Sequence, residues 1–182
     1  MVGKIKKTKL PEVLVLMPEV FEDKRGFFFE SFNQKDFLNL TKVDRNFVQD
    51  NHSKSKKNTL RGLHYQINKP QGKLVRVISG LIFDVAVDLR SSSLNFGKWF
   101  GIELSSQNKK QLWIPEGFAH GFLVMSDTAE VIYKTTDYWS PENEICIKWS
   151  DKDLGIDWPL RKPILSIKDQ QGISFKDAPN FK

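Results

Sequence analysis

The feature that most constrains the fold of this chain is the even spacing of its short apolar runs. Stretches rich in Val, Ile, Leu and Phe recur about every 8 to 14 residues, separated by Gly, Pro, Asn and Ser turn signals. The expected strands cover residues 14–17, 27–32, 47–50, 59–66, 74–79, 82–89, 99–104, 111–114, 119–125, 129–138 and 145–149. A hairpin turn is expected over 22–26, and a short helix over 34–40 behind Asn33 as its N-cap. This pattern predicts an all-β sandwich or barrel with a few short helices. No internal repeat, linker or shift of composition divides the chain, so one domain over 1–182 is expected.

The segment 47–80 stands out because it mixes strand-like runs with His52, Arg61, His64 and Arg76. Strands carrying that many polar side chains point to an interior built for a ligand. Strict alternation would put Arg61 and His64 on opposite faces; a bulge at Gly62 would bring both to one side. Further on, Asp84, Asp88 and Arg90 fall on one face of an otherwise apolar strand. Asp88 and Arg90 are expected to pair at the surface, and Asp84 to meet a buried partner. His120 lies between Phe118 and Phe122, with Gly117 and Gly121 close by. A single His in that setting is commonly structural; two, His64 and His120, each with a candidate acid, make a less ordinary arrangement.

Composition narrows the remaining classes. With 182 residues the chain can bury roughly 70% of its unfolded surface, so no covalent staples are needed. Its single cysteine, Cys146, rules out an intrachain disulfide framework and fits a reducing compartment. The first ten residues lack the apolar core of a signal peptide, and no apolar run spans a bilayer, which predicts a soluble cytoplasmic protein. The net charge of +6 favours an anionic partner. Nucleic acid is not expected, because the basic runs at 4–9 and 54–57 lack interleaved aromatics and no recognition motif is present. A metal site is not expected either: His-x-His is absent and there are three His in all. Cys146, in an apolar strand with no neighbouring His in sequence, makes a poor nucleophile.

Seven runs taken together resemble one family. They are Arg25-Gly26-Phe27-Phe28-x-Glu30, residues 47–53, 60–66, 71–77, 84–90 and 115–122, and Ile156-Asp157-Trp158-Pro159. In order and spacing they are similar to the dTDP-4-dehydrorhamnose 3,5-epimerase family, over nearly the whole chain. The resemblance implies a cupin-type jelly roll and a homodimer in which N-terminal strands join the partner's sheet. It also implies a metal-independent isomerase without cofactor, acting on a deoxythymidine diphosphate (dTDP) 4-keto sugar in dTDP-rhamnose biosynthesis. Hydrogens on carbons 3 and 5 flank such a ketone, so a general base can remove each one if the enolate oxygen is stabilised.

By the same resemblance His64 is the base, Asp169 its partner, Lys73 the enolate stabiliser and Tyr133 the proton donor from the opposite face. His120 with Asp84 forms a supporting second dyad. The nucleotide end falls to Arg25, Phe28, Glu30, Gln49, Asn51, Arg61, Tyr138, Glu144 and Lys168, with Arg25 and Glu30 candidates for supply by a partner subunit. One departure is that Tyr138-Trp139 stands where the family usually has Tyr-Tyr or a similar pair, which leaves the stacking ring open. The alternatives are a relative that inverts one carbon only and a non-catalytic sugar-nucleotide-binding cupin, which would lose His64 or Tyr133.

Overall fold

Alternation of buried and exposed side chains organises the chain into strands, and their pairing makes two facing sheets. The structure, a computed structural model, describes residues 2–182. In chain order the elements are β1 (Val2–Lys7), β2 (Leu14–Pro18), β3 (Phe21–Asp23), β4 (Gly26–Phe28), α1 (Gln34–Thr41), β5 (Gln49–Lys56), β6 (Leu60–Gln66), β7 (Lys73–Ser79) and β8 (Leu81–Asp88). They continue with β9 (Trp99–Ser105), β10 (Gln111–Ile114), β11 (Phe118–Val124), β12 (Thr128–Thr135), β13 (Glu144–Cys146) and α2 (Ile167–Gln170). One sheet has the order β1-β2-β10-β7-β12-β5, the other β13-β6-β11-β8-β9, and β3-β4 is a separate hairpin. The eight strands β5 to β12 thus form β10-β7-β12-β5 facing β6-β11-β8-β9, which is jelly-roll connectivity. The expected all-β jelly roll is the fold of the chain.

Three apolar layers hold this arrangement. Val15, Val75, Val77, Ile82, Ala86, Leu104, Leu112, Phe118, Phe122 and Val131 fill the space between the sheets. The outer face of the five-stranded sheet is covered by the C-terminal segment, through Ile147, Leu154, Trp158 and Ala178 packed on Leu63, Val85, Val87 and Leu123. On the outer face of the six-stranded sheet, α1 docks Phe37 against Trp113 and Phe47 in edge-to-face contacts at 5.3 and 5.2 Å between centroids. Asn33 caps α1 as expected, its side chain accepting the Asp36 N–H.

Because both faces of the five-stranded sheet are covered, the polar face of β8 differs from the expected surface. Asp88 is fully buried and accepts from Arg90 Nε at 2.9 Å, Arg90 Nη2 at 2.7 Å and Ser93 Oγ at 2.7 Å. The expected pair forms with its carboxylate inside and its guanidinium at the rim, and burial opposed by those donors leaves the carboxyl below its usual range. Asp84 does find its buried partner, His120.

Several boundaries also differ. The strand expected over 47–50 is β5, which runs on to Lys56; the 27–32 strand closes at Phe28, the 129–138 strand at Thr135 and the 145–149 strand at Cys146. β1 is not expected from the sequence, because its lysines look like a solvated tail; it is the edge strand of the six-stranded sheet. Among the described residues no helix is long and apolar enough to cross a membrane.

Candidate active site

The polar cleft lies between the sheets at the end where β5 and β13 form their edges. It encloses about 300 Å³. The six-stranded sheet contributes Gln49, Asn51 and Ser53 from β5, Lys73 from β7 and Tyr133 from β12; the other sheet contributes Arg61 and His64 from β6, His120 from β11 and Glu144 from β13. The polar stretch of β5 reads as loop by hydrophobicity alone. It is a strand whose alternate residues face this cleft, so its interior side is hydrophilic.

Gly62 plays the expected part. β11 pairs His120 with His64 and Phe122 with Arg61, so two β6 residues oppose one on β11 and a bulge brings Arg61 and His64 to the same cleft. Only glycine fits there: φ is +121°, and a Cβ would lie 2.5 Å from Gly121 Cα.

His64 Nε2 donates to Asp169 Oδ1 at 2.7 Å. Asp169 is 3% exposed. Burial raises its pKa, but the hydrogen bond from His64, that from Ser166, the His64 charge and the Gly62 N–H outweigh this and set it at about 2. An ionised carboxylate only accepts, so the proton of neutral His64 sits on Nε2. Nδ1 is then the free, basic nitrogen, 4.0 Å from Glu144 Oε1.

Lys73 is buried with its Nζ donating to the His64 carbonyl at 3.3 Å. Burial pulls its pKa down to about 8, against the opposing charges of Glu144 and Asp84, so it is still mostly an ammonium at neutral pH. Tyr133 is pushed upward by burial and then by Glu144, with Arg61 acting the other way, which keeps its phenol protonated. His120 Nε2 lies 2.8 Å from Asp84 Oδ1, and Asp84 Oδ2 has no partner among the described residues.

The remaining residues divide by position. Arg61 Nε donates to Ser55 Oγ at 3.0 Å, and Gln49 Nε2 to Asn51 Oδ1 at 2.9 Å. Lys168 stands behind the cleft wall, its Nζ 2.5 Å from Glu144 Oε2. Tyr138 is 63% exposed and does not line the cleft; the ring that does is Trp139, 59% exposed, with its Nε1 donating to Glu144 Oε2 at 2.9 Å. The reason is the path of the loop after β12. Gln66 accepts the Ser140 N–H and donates to the Tyr138 carbonyl, which turns Trp139 inward. Arg25, Phe28 and Glu30 do not line the cleft of their own chain: Arg25 pairs with Asp23, and Phe28 is 67% exposed on the β3-β4 hairpin.

Ser53, Gln66, Gln71 and Trp139 were missed as cleft residues. Alternation from Gln49 and Asn51 could have signalled Ser53. Cys146 does have a His neighbour, contrary to its sequence context, since β13 pairs it with His64. Its Sγ lies 3.8 Å from Asp169 Oδ1, and donors of His64, Cys146 and Asp169 fall within 4.8 Å of one another. The thiol is pushed up to about 12 by burial, then by the Asp169 charge, and Nε2 is already spent on Asp169. The trio is a hydrogen-bonded dyad beside a neutral thiol.

Comparison with known proteins gives the family of the chain. The family model for dTDP-4-dehydrorhamnose 3,5-epimerase matches residues 7–177. A dTDP-4-dehydrorhamnose 3,5-epimerase of Shigella flexneri is 58% identical over 176 residues, 96% of this chain and 97% of its own. The enzyme of that name from Pseudomonas aeruginosa is 56% identical over 179 residues, covering 98% and 99%. The crystal structure of a 3,5-epimerase from Legionella pneumophila, in complex with dTDP-4-keto-L-rhamnose, superposes with a TM-score of 0.94 at 48% identity, covering 97% of this chain and 94% of that one. Matched by the family model from residue 7 to residue 177, and at 58% and 56% identity by relatives of about the same length, the chain belongs to the dTDP-4-dehydrorhamnose 3,5-epimerase family.

Proposed function

We propose that this chain epimerises carbons 3 and 5 of dTDP-4-dehydro-6-deoxyglucose to give dTDP-4-dehydrorhamnose, in dTDP-rhamnose biosynthesis. The observation that carries this reading is the placing of a basic nitrogen and a protonated phenol on opposite sheets of one cleft, with a buried ammonium beside them. His64 Nδ1 removes the proton next to the ketone, and the electron pair moves onto the carbonyl oxygen. Lys73 stabilises that enolate, and its positive charge is worth more in a buried site than in water. Tyr133 delivers a proton to the other face of the same carbon, and the configuration inverts. His64 then releases its proton and Tyr133 regains one, which readies the site for the second carbon. Asp169 holds the ring and supports the imidazolium without becoming protonated. No cofactor enters any step.

At the nucleotide end, Arg61, Gln49, Asn51 and the Lys168–Glu144 pair supply charge and hydrogen bonds for the diphosphate and sugar. Trp139, rather than Tyr138, is the ring of this chain that flanks the substrate. The protein is a single-domain cytoplasmic enzyme. Incubation with the dTDP-4-keto-6-deoxyglucose substrate in heavy water, followed by NMR, tests the reading. Deuterium should enter at both carbons; entry at one alone would mark a mono-epimerase, and entry at neither a binding protein.

Arg25, Phe28 and Glu30 act in the cleft of a second copy. Phe21, Phe27 and Phe28 are exposed on the β3-β4 hairpin of one chain, an apolar load that an isolated monomer would not carry comfortably. Sedimentation should therefore show a dimer. A well-behaved monomer at micromolar concentration would remove the strand-exchange reading.

A further inference from the structure

We infer that Ser166 is a positioning residue for the base: its hydroxyl fixes the Asp169 carboxylate and moderates how strongly that carboxylate supports a charged His64 ring. This rests on the reaction proposed above and adds a residue that touches no reacting atom.

The geometry leaves the hydroxyl one arrangement. Asp169 N–H donates to Ser166 Oγ at 3.1 Å, so Oγ accepts there and directs its own proton to Asp169 Oδ2 at 2.6 Å. The two bonds close a ring on a single residue, which holds both the first turn of α2 and the rotamer of Asp169. On the other carboxylate oxygen, Oδ1 takes His64 Nε2 at 2.7 Å and Gly62 N–H at 3.2 Å, with the Cys146 thiol at 3.8 Å as a weak addition. Asp169 is thus a shared acceptor, and each donor drains negative charge from the oxygen that faces His64. Removing the Ser166 donor concentrates that charge on Oδ1. The imidazolium is then better stabilised, so the pKa of His64 rises.

The other charged groups around His64 have partners of their own. Glu144 faces Nδ1 from β13 and is tied to Lys168; Lys73 of β7 contacts the His64 carbonyl; His120 of β11 is its register partner and is tied to Asp84; Arg61 shares its strand. Cys146 stays neutral.

Ser166 is also the N-cap of α2, and capping alone is the plain alternative. Substitutions separate the two roles. Glycine is nearly as good a cap as threonine and alanine is much poorer, whereas only threonine keeps a hydroxyl. The experiment follows the His64 imidazole titration by NMR in the free protein, together with the pH profile of kcat/KM. Ser166→Ala and Ser166→Gly should both move the His64 titration and the acidic limb upward, by about half a pH unit or more. In both, kcat should fall about 10- to 100-fold as Asp169 loses its fixed orientation. Ser166→Thr should restore both properties. If Ser166→Gly titrates and turns over like the parent, Ser166 is a cap and nothing more. Should the alanine variant fail to fold, the glycine and threonine variants still decide. If the parent itself exchanges neither carbon, the proposed reaction is wrong, while the imidazole titration still tests the coupling of Ser166 to His64.

Discussion

Replacing His64 with Asn should abolish both deuterium wash-in and inversion at carbons 3 and 5, with a loss of at least about 100- to 10,000-fold. The Asn amide ends at the level of the imidazole Nδ1, short of the Nε2 position that bonds Asp169, so the basic nitrogen and the bond to Asp169 are lost together. No neighbour is fitted to take over. Glu144 lies nearest to Nδ1, but its carboxylate is held by Lys168 and Trp139 below its ordinary pKa, with burial opposing, and so is a weak base. Lys73 is mostly protonated at neutral pH, and His120 is bound to Asp84 on another strand. Exchange that persists at both carbons in the folded variant would remove His64 from the role of base.

Replacing Tyr133 with Phe should have a different signature. The phenol is the donor on the sheet opposite His64, and its removal leaves the base, the ammonium and the Asp169 dyad in place. His64 can still take a proton and return a solvent-derived one to the same face, so deuterium enters while configuration is retained. Product formation should fall about 100- to 10,000-fold, with wash-in falling less. The ratio of the two rates is the readout, because a general loss of binding would lower both together. A Tyr133→Phe enzyme that inverts as fast as the parent would show that the opposite-face proton comes from elsewhere.

Much of this molecule was legible in the order of its residues. The spacing of apolar runs and turn residues is a local property, and it predicted an all-β chain with most strands within a few positions of where they lie. Gly62 between Arg61 and His64 predicted a bulge, since a residue without Cβ is what a close strand crossing requires, and the Gly121 backbone lies against it. Asp84 predicted a buried partner because an isolated charge inside a sheet is costly, and His120 supplies it.

What depends on how sheets pack was not legible from residue pattern alone. His64 and Asp169 are 105 positions apart, and they meet because the C-terminal segment folds over the five-stranded sheet. Pairing of β13 with β6 sets Cys146 across from His64, Gln66 holds the loop that turns Trp139 rather than Tyr138 into the cleft, and the stacking of the sheets buries the Asp88 carboxylate. β5 runs six residues beyond its expected end at Asp50, and no apolar pattern marks it because its inward side chains are Gln, Asn and Ser. Hydrophobic alternation detects strands that face an apolar core, whereas this one faces a cleft lined for a polar ligand. Sequence periodicity reports which side of a strand points inward; only the register and stacking of the two sheets decide what each inward side chain will meet there.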